Sequence, residues 1–304
     1  MEKTQGLIAA PYTPFNNAGE LNVKLIPAYA AFLKKSGVKG VFVNGTTGEG
    51  ASLTVNERME CAEAWQAQKD ENFRVIIHVG HNSLSVSREL ARNSRKINAD
   101  AIGLIAPSYY KTESLSSLVQ VNSHVAGAAP DLPYYYYHMP AMSGAFFPMA
   151  QFLEMAEKII PNLAGIKYTH EDLMEMKLCL EYGGRKFDIL HGRDEILLCG
   201  LALGATGAIG STYNYMAPLY VRLMEAFSRS NLAEAGALQY ESIKFIQVLI
   251  RYGGGVRAGK SFMRAAGLDL GQPRLPVTRL SADEEKHLQE ELQGLGFPGN
   301  FVQG

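Results

Sequence analysis

Eight short apolar runs recur along the 304-residue chain, and each is followed by a turn and a stretch with helical periodicity. The runs are continuously apolar instead of alternating, which is typical of parallel strands covered on both faces. Because strand and helix alternate through all eight units, the pattern predicts an α/β fold, a TIM (β/α)8 barrel, with a doubly wound open sheet as the alternative. The predicted strands are Leu7–Ala10, Val41–Val43, Val75–Val79, Ala101–Ala106, Tyr134–Tyr137, Ala164–Ile166, Ile189–Leu190 and Ala205–Ile209.

Capping patterns and the last part of the chain define the predicted domain organisation. Thr54 and Glu57 form a capping box, in which each side chain bonds the other residue's free amide, so a helix is expected to follow the second strand. After the eighth strand the pattern is helical only, and Ser281 begins a second capping box. We therefore expect residues 1–229 to form the barrel and residues 230–304 a C-terminal helical extension packed on it.

Charge and composition restrict the partners. Lys and Arg number 29 and Asp and Glu 30, and there is neither a basic stripe for nucleic acid nor a polybasic run for a membrane surface. The expected partners are small molecules and further copies of the chain. No apolar run reaches the roughly 18 residues that a membrane helix needs, which favours the cytoplasm. Cys61, Cys179 and Cys199 have no metal or redox spacing and are expected to be reduced core thiols.

The loop after the second strand reads Gly45-Thr46-Thr47-Gly48-Glu49-Gly50. In this fold catalytic groups come from the C-terminal ends of strands, so residues at these positions matter most. Glycines permit a backbone in which successive amides point at one anion, and the threonine hydroxyls add donors. The loop could hold a carboxylate or a phosphate, and an ordinary tight turn is the alternative.

The fifth and sixth strands carry a tyrosine run and a lysine. Lys167 ends the sixth strand, where desolvation would lower its pKa and leave a free amine able to attack a carbonyl. A lysine that reaches water from the strand end is the alternative. In the fifth strand, side chains alternate, so Tyr135 and Tyr137 share one face and Tyr134 and Tyr136 the other. One of these pairs can face the barrel interior.

The seventh and eighth strands end in polar residues. Asp194 and Glu195 follow the seventh strand, and Gly210–Asn214 follows the eighth. Adjacent carboxylates at a barrel mouth can bind several hydroxyl groups of a polyol. An Asp-Glu pair is also an ordinary feature of a helix N-terminus.

Two further motifs suggest other functions. The segment Gly254–Ser261, with Lys260, matches a phosphate-binding P-loop pattern, but a helical stretch precedes it where such a loop needs a strand. His78 and His81 are three residues apart without a nearby carboxylate or cysteine to complete a metal site. A P-loop nucleotide hydrolase and a metal centre are therefore the weaker hypotheses.

Together these strand ends resemble the N-acetylneuraminate lyase and dihydrodipicolinate synthase family of class I aldolases. The resemblance extends from Gly6 to at least Asn214. Gly45–Glu49 is similar to the family's pyruvate-carboxylate loop, and Gly165-Ile166-Lys167 is similar to its Schiff-base lysine. Tyr137, followed by Met139-Pro140, is similar to its catalytic tyrosine.

Within that family, the positions around the fifth strand distinguish two branches. The synthase branch has an arginine for a second substrate carboxylate where this chain has Met142. The lyase branch resembles this chain at Asp194-Glu195 and Gly210–Asn214. The resemblance thus implies aldol cleavage of N-acetylneuraminate to N-acetylmannosamine and pyruvate, with another 2-keto-3-deoxy sugar acid as the alternative substrate. Departures from the family pattern include His138 and Arg193.

The resemblance also implies roles for individual residues. Lys167 forms the Schiff base and Tyr137 moves a proton, supported by Thr46 and Tyr110, with Tyr109 less favoured than Tyr110. In some relatives that tyrosine reaches across a subunit interface. Neither a metal nor an organic cofactor is implied, and a homotetramer is expected. The substrate-binding residues implied are Thr46, Thr47, Thr169, Gly192, Asp194, Glu195, Gly210 and Ser211.

Overall fold

The computed structural model describes residues 3–302 of the chain. Eight parallel strands close into a barrel in sequence order, and the eighth pairs with the first, which confirms the TIM barrel and excludes the open sheet. The strands are β1 Gly6–Ala9, β2 Gly40–Val43, β3 Arg74–His78, β4 Ala101–Ile105, β5 Tyr134–His138, β6 Leu163–Tyr168, β7 Asp188–His191 and β8 Gly207–Gly210.

Helices surround the barrel and continue beyond it. The capping boxes predicted at Thr54 and Ser281 are both present, and they begin the second and twelfth helices. The α-helices of the described residues are α1 Ile26–Lys35, α2 Val55–Gln66, α3 Leu84–Lys96, α4 Leu115–Ala126, α5 Pro140–Ser143, α6 Met149–Ala156, α7 Leu173–Arg185, α8 Leu197–Leu203, α9 Tyr213–Ser228, α10 Leu232–Arg251, α11 Gly255–Ala265, α12 Ala282–Gly294 and α13 Gly299–Val302.

Strand β5 has the alternation that its tyrosines predict. Tyr135 and Tyr137 pack inside the barrel, whereas Tyr134 and Tyr136 pack between the barrel and its helices. Tyr137 lies opposite Lys167 in the register of β5 and β6. Because residues paired across neighbouring strands point to the same face, this register places the phenol and the amine side by side.

Strand ends differ from the predicted bounds by one or two residues, and the expectation for the cysteines is wrong in part. Strand β8 begins at Gly207, two residues after the predicted start, because Ala205 and Thr206 belong to the turn after α8. Cys61 and Cys179 are buried, but Cys199 is exposed, so the prediction of three core thiols is wrong for Cys199. Helix α8 turns Leu197, Gly200 and Leu201 inward, and Cys199 falls on its outer face.

The helices after α9 form the predicted extension. Helix α10 packs along α9, and rings from α10, α11 and the loop before α13 meet at Phe297. The boundary between residues 229 and 230 falls in the turn between α9 and α10, and the division into two units there stays a prediction. Within residues 3–302, no helix combines the length and the apolarity needed to span a membrane.

Candidate active site

A cavity of about 420 Å³ opens at the C-terminal ends of the strands. This is the end at which barrels of this fold carry their catalytic groups. The cavity is lined by every residue predicted for the site except Tyr110. Those residues are Thr46, Thr47, Tyr137, Lys167, Thr169, Gly192, Asp194, Glu195, Gly210 and Ser211.

Lys167 is buried at the base of this cavity, with 4% of its surface exposed. Its Nζ lies 3.9 Å from the ring centroid of Tyr137 and 4.1 Å from that of Phe42, and it forms no ion pair within residues 3–302. Burial therefore lowers the pKa of Lys167 to about 7, and the charge of Asp194 only partly opposes the shift. The alternative of a lysine that reaches water is wrong, and a large fraction of the amine is neutral near pH 7.

Tyr137 provides a phenol beside that amine. Its hydroxyl donates to the Met139 sulfur at 3.0 Å and lies 3.4 Å from Thr46 Oγ1. Burial raises the pKa of Tyr137, and the hydroxyls of Thr46 and Thr169 oppose the rise. The phenol is therefore protonated at neutral pH, which suits a group that relays a proton while remaining neutral.

The threonine loop is a tight turn that also faces the cavity. The Glu49 and Gly50 amides donate to the carbonyls of Thr46 and Gly45, both at 3.1 Å. Glu49 has a left-handed backbone with φ of 53°, and a Cβ at Gly50 would collide with the Asn44 carbonyl. The turn and ligand-binding interpretations are thus compatible, because the tight turn itself brings the threonine hydroxyls to the cavity.

Lys260 lies behind this loop and outside the cavity. Its Nζ is 2.9 Å from Glu49 Oε1, and both side chains are 1% exposed. The other Glu49 oxygen accepts the Arg274 amide at 2.7 Å. A P-loop lysine must reach phosphate from a loop that follows a strand, whereas Lys260 lies inside helix α11 and in a buried ion pair. The nucleotide hypothesis is therefore wrong.

His78 has a structural role. Its Nδ1 lies 3.0 Å from the Asn44 carbonyl, and the Ile105 amide donates to Nε2 at 3.3 Å, so the tautomer protonated at Nδ1 satisfies both contacts. Burial keeps the pKa of His78 well below its usual value. His81 is exposed and accepts the Ser83 amide, so the pair does not converge on one point.

Asp194 is held firmly by the turn after β8. Its Oδ2 accepts the Thr212 amide at 2.9 Å and the Thr212 hydroxyl at 2.7 Å. Burial raises the pKa of Asp194 to about 6. A Cβ at Gly210 would collide with this carboxylate, so the glycine is needed for the carboxylate to sit against β8. Only Oδ1 of Asp194 remains for a ligand.

Other polar groups at this end of the cavity are less engaged. A Cβ at Gly192 would collide with Thr169 Oγ1, so this glycine makes room for the threonine. The Thr169 hydroxyl is buried and close enough to Tyr137 to influence its pKa, yet it makes no well-formed hydrogen bond to a described residue. Buried polar groups are nearly always paired, so this hydroxyl is suited to a ligand.

The C-terminal extension supplies an apolar wall that the sequence did not predict. Ile246, Leu249 and Ile250 of α10 and Val256 of α11 line the cavity opposite the polar strand ends. Gln239 of α10 also donates to the Asp194 carbonyl at 3.0 Å. The apolar face of this helix is visible in the sequence, but periodicity alone does not show which part of the barrel the face covers.

Tyr109 and Tyr110 lie away from the cavity of their own chain. They are 78% and 83% exposed, and their rings meet edge to face at 5.0 Å between centroids. The structure therefore does not bring Tyr110 to Tyr137 within one chain.

Known proteins with similar sequences and structures show the family to which the chain belongs. The dihydrodipicolinate synthetase family model matches residues 3–295. N-acetylneuraminate lyase of Rattus norvegicus is 40% identical over 300 residues, covering 97% of this chain and 94% of that protein. The structure of Proteus mirabilis N-acetylneuraminate lyase has a TM-score of 0.94 at 40% identity and covers 97% of this chain and 100% of its own. The structure of the N-acetylneuraminate lyase (sialic acid aldolase) from Aliivibrio salmonicida has a TM-score of 0.95 at 39% identity. It covers 99% of this chain and 100% of its own. This chain belongs to the dihydrodipicolinate synthetase family.

Proposed function

We propose that this chain cleaves N-acetylneuraminate to N-acetylmannosamine and pyruvate through a Schiff base on Lys167. The observation that carries the proposal is the Lys167 amine, which is buried, has no counter-ion among the described residues and opens into the cavity. Its pKa of about 7 supplies the neutral nucleophile that imine formation needs. Relatives that are 40% identical over nearly the whole chain bear the name of this activity.

The reaction begins on the open-chain form of the sugar. Lys167 Nζ attacks the C2 ketone, and the carbinolamine that results takes up a proton from solvent and loses water to give a protonated imine, the proton being returned at the final hydrolysis. The C3–C4 bond then breaks, and its electron pair moves through C3 and C2 to the imine nitrogen, giving an enamine. The C4 hydroxyl loses its proton and becomes the aldehyde of N-acetylmannosamine. Protonation of C3 and hydrolysis of the imine release pyruvate and restore the amine.

Tyr137 moves the proton in this scheme. The phenol accepts the C4 hydroxyl proton while it passes its own to the substrate carboxylate, so no phenolate accumulates. Its raised pKa favours this relay over a free phenolate base. The carboxylate, held by Thr46 and Thr47, then returns the proton to C3.

The far end of the cavity binds the polyol tail. Thr169, Glu195 and Ser211 provide hydroxyl and carboxylate groups there, and Asp194 adds its one remaining oxygen, Oδ1. Gly192 leaves the space that the Thr169 hydroxyl occupies, and Gly210 leaves the space that the Asp194 carboxylate occupies. This division separates the chemistry at Lys167 from recognition of the tail.

In this proposal Tyr110 acts in the active site of a neighbouring copy of the chain and not in its own. Its exposure leaves it free to complete the Tyr137 contacts of a neighbouring copy, as the family resemblance implies. Assembly as a homotetramer and residence in the cytoplasm stay predictions.

Borohydride reduction in the presence of pyruvate tests the proposal. Peptide mass mapping of the reduced protein should find the adduct on Lys167 alone, because Lys167 is a buried lysine whose amine faces the cavity without a counter-ion. Lys260 is the internal control, since it is buried but paired with Glu49. Labelling of Lys260, or no labelling, would overturn the mechanism. Pyruvate release should be faster from N-acetylneuraminate than from a short 2-keto-3-deoxy acid, and the reverse preference would favour the alternative substrate.

A further inference from the structure

Arg193 lies at the rim of the cavity between two carboxylates. Its guanidinium pairs with Glu171, from the loop after β6, and its Nε lies 3.3 Å from Glu195 Oε1. Both Arg193 and Glu195 line the cavity, and the Arg193 side chain is 30% exposed. The arginine therefore bridges a carboxylate that faces the cavity and one that stands outside it.

The backbone that carries Arg193 is fixed by buried contacts. His191 Nε2 donates to the Arg193 carbonyl at 2.8 Å, and burial lowers the pKa of His191 to about 4, so this imidazole stays neutral. The Gly192 amide donates to the Tyr168 carbonyl at 2.8 Å. With the Gly192 amide and the Arg193 carbonyl both bonded to strand ends, only the Arg193 side chain needs to be ordered, and Glu171 supplies that order.

Glu195 needs such a partner because of its surroundings. It adjoins Asp194, and the charge of Glu195 contributes to the raised pKa of that buried carboxyl. The Arg193 guanidinium beside Glu195 limits the rotation of this carboxylate. Arg193 contacts only Oε1, and Oε2 has no partner among the described residues, so a cavity-lining residue keeps one oxygen available to a ligand.

We propose that Arg193, held by Glu171, is a positioning residue that aims the Glu195 carboxylate at a hydroxyl of the substrate's polyol tail. It thereby determines the preference for long sugar acids over short ones. This inference rests on the proposed function, because it assigns Glu195 to the tail. Arg193 makes no contact with the reacting atoms in this arrangement, so its effect should fall on substrate recognition and leave imine chemistry unchanged.

Steady-state kinetics of Arg193→Gln test the proposal. KM for N-acetylneuraminate should rise about 10-fold, the scale of one hydrogen bond to a charged group, while kcat stays within about twofold. Arg193→Lys should recover part of the loss, and Glu171→Gln should raise KM by about threefold, since it only loosens the arginine. Adding Arg193→Gln to Glu195→Gln should change KM little, because the group that Arg193 positions is already altered.

Controls separate this inference from the proposed function. Arg229→Gln removes an exposed arginine paired with Glu234 and should leave all parameters unchanged. Borohydride trapping of pyruvate and turnover of a short 2-keto-3-deoxy acid should be the same in Arg193→Gln as in the parent protein. Suppose that the parent protein traps pyruvate on Lys167. If Arg193→Gln then has the same KM for N-acetylneuraminate as the parent, or if its turnover of the short acid falls as much as that of N-acetylneuraminate, the inference about Arg193 is wrong and the mechanism stands. If the parent traps no pyruvate, the mechanism itself fails.

Discussion

Two lysines within residues 3–302 are buried in similar surroundings, and only one of them is proposed to do chemistry. Lys167 and Lys260 are 4% and 1% exposed. Each amine lies over an aromatic ring, at 4.1 Å from the Phe42 centroid for Lys167 and 4.0 Å from the Phe15 centroid for Lys260. Burial lowers the pKa of both. Neither burial nor aromatic contact therefore distinguishes a reactive lysine from a structural one.

The difference lies in the counter-ion and the open space. Lys260 has Glu49 at 2.9 Å and the Gln272 carbonyl at 3.2 Å, so its donors are engaged inside the protein. Glu49 opposes the lowering of its pKa and keeps the amine charged. Lys167 has a cavity in place of a carboxylate, so its proton is easily lost. An unpaired buried amine beside space for a carbonyl is the feature that indicates a Schiff base.

The largest expected effect is that of Lys167→Met. Turnover of N-acetylneuraminate should fall by about 10⁴-fold or more, the scale of removing a nucleophile. The thermal midpoint should stay the same or rise, since the substitution removes an amine that burial destabilises and breaks no ion pair. Turnover and thermal unfolding of the same preparation measure both. A loss below 100-fold would make Lys167 a structural lysine like Lys260.

Lys260→Met should show the opposite pattern. It leaves Glu49 charged and buried without its partner, which costs about 3 to 5 kcal/mol of unfolding free energy. Urea unfolding measures this loss, and the protein that remains folded should still be trapped by pyruvate on Lys167.

A matched double variant sharpens the result for Lys260. Combining Lys260→Met with Glu49→Gln removes the stranded charge and keeps an acceptor for the Arg274 amide. Most of the lost stability should return. If the double variant is as unstable as Lys260→Met, the loss of stability comes from the packing of the Lys260 side chain and not from its charge.

The smallest expected effect is a pH dependence confined to Lys167. Only the neutral amine attacks pyruvate, so the initial rate of borohydride trapping should rise about tenfold per pH unit below 7 and level off above it. Asp194 favours the charged amine, so Asp194→Asn should move the break to lower pH. Rates measured between pH 5 and 9 give both profiles. If the trapping rate levels off only near the usual pKa of a lysine, the proposed effect of burial on Lys167 is wrong.

Local sequence patterns predicted the strand positions of Tyr137 and Lys167. The contacts that distinguish Lys167 from Lys260 join distant parts of the chain, and the sequence did not predict them. The alternation in β5 placed Tyr135 and Tyr137 on one face, and the position of Lys167 at the end of the sixth strand made it a candidate, but the family resemblance was needed to select Tyr137 and Lys167. The sequence could not show that Glu49 meets Lys260, since the loop after β2 and helix α11 are joined only by the folded barrel. Burial of Oδ2 of Asp194 by Thr212 has the same origin, and only pairing of β7 with β8 reveals it.

The apolar wall and the Lys260 ion pair both come from helices that follow the eighth strand. During synthesis, the N-terminal part of a chain emerges and begins to fold first. A nascent chain whose eight strands have left the ribosome does not yet have Lys260 to pair with Glu49, nor the apolar wall that α10 and α11 add to the cavity. The cavity is thus completed only after residues beyond the eighth strand have emerged, and a chain terminated before them would contain Lys167 and Tyr137 without a finished pocket around them.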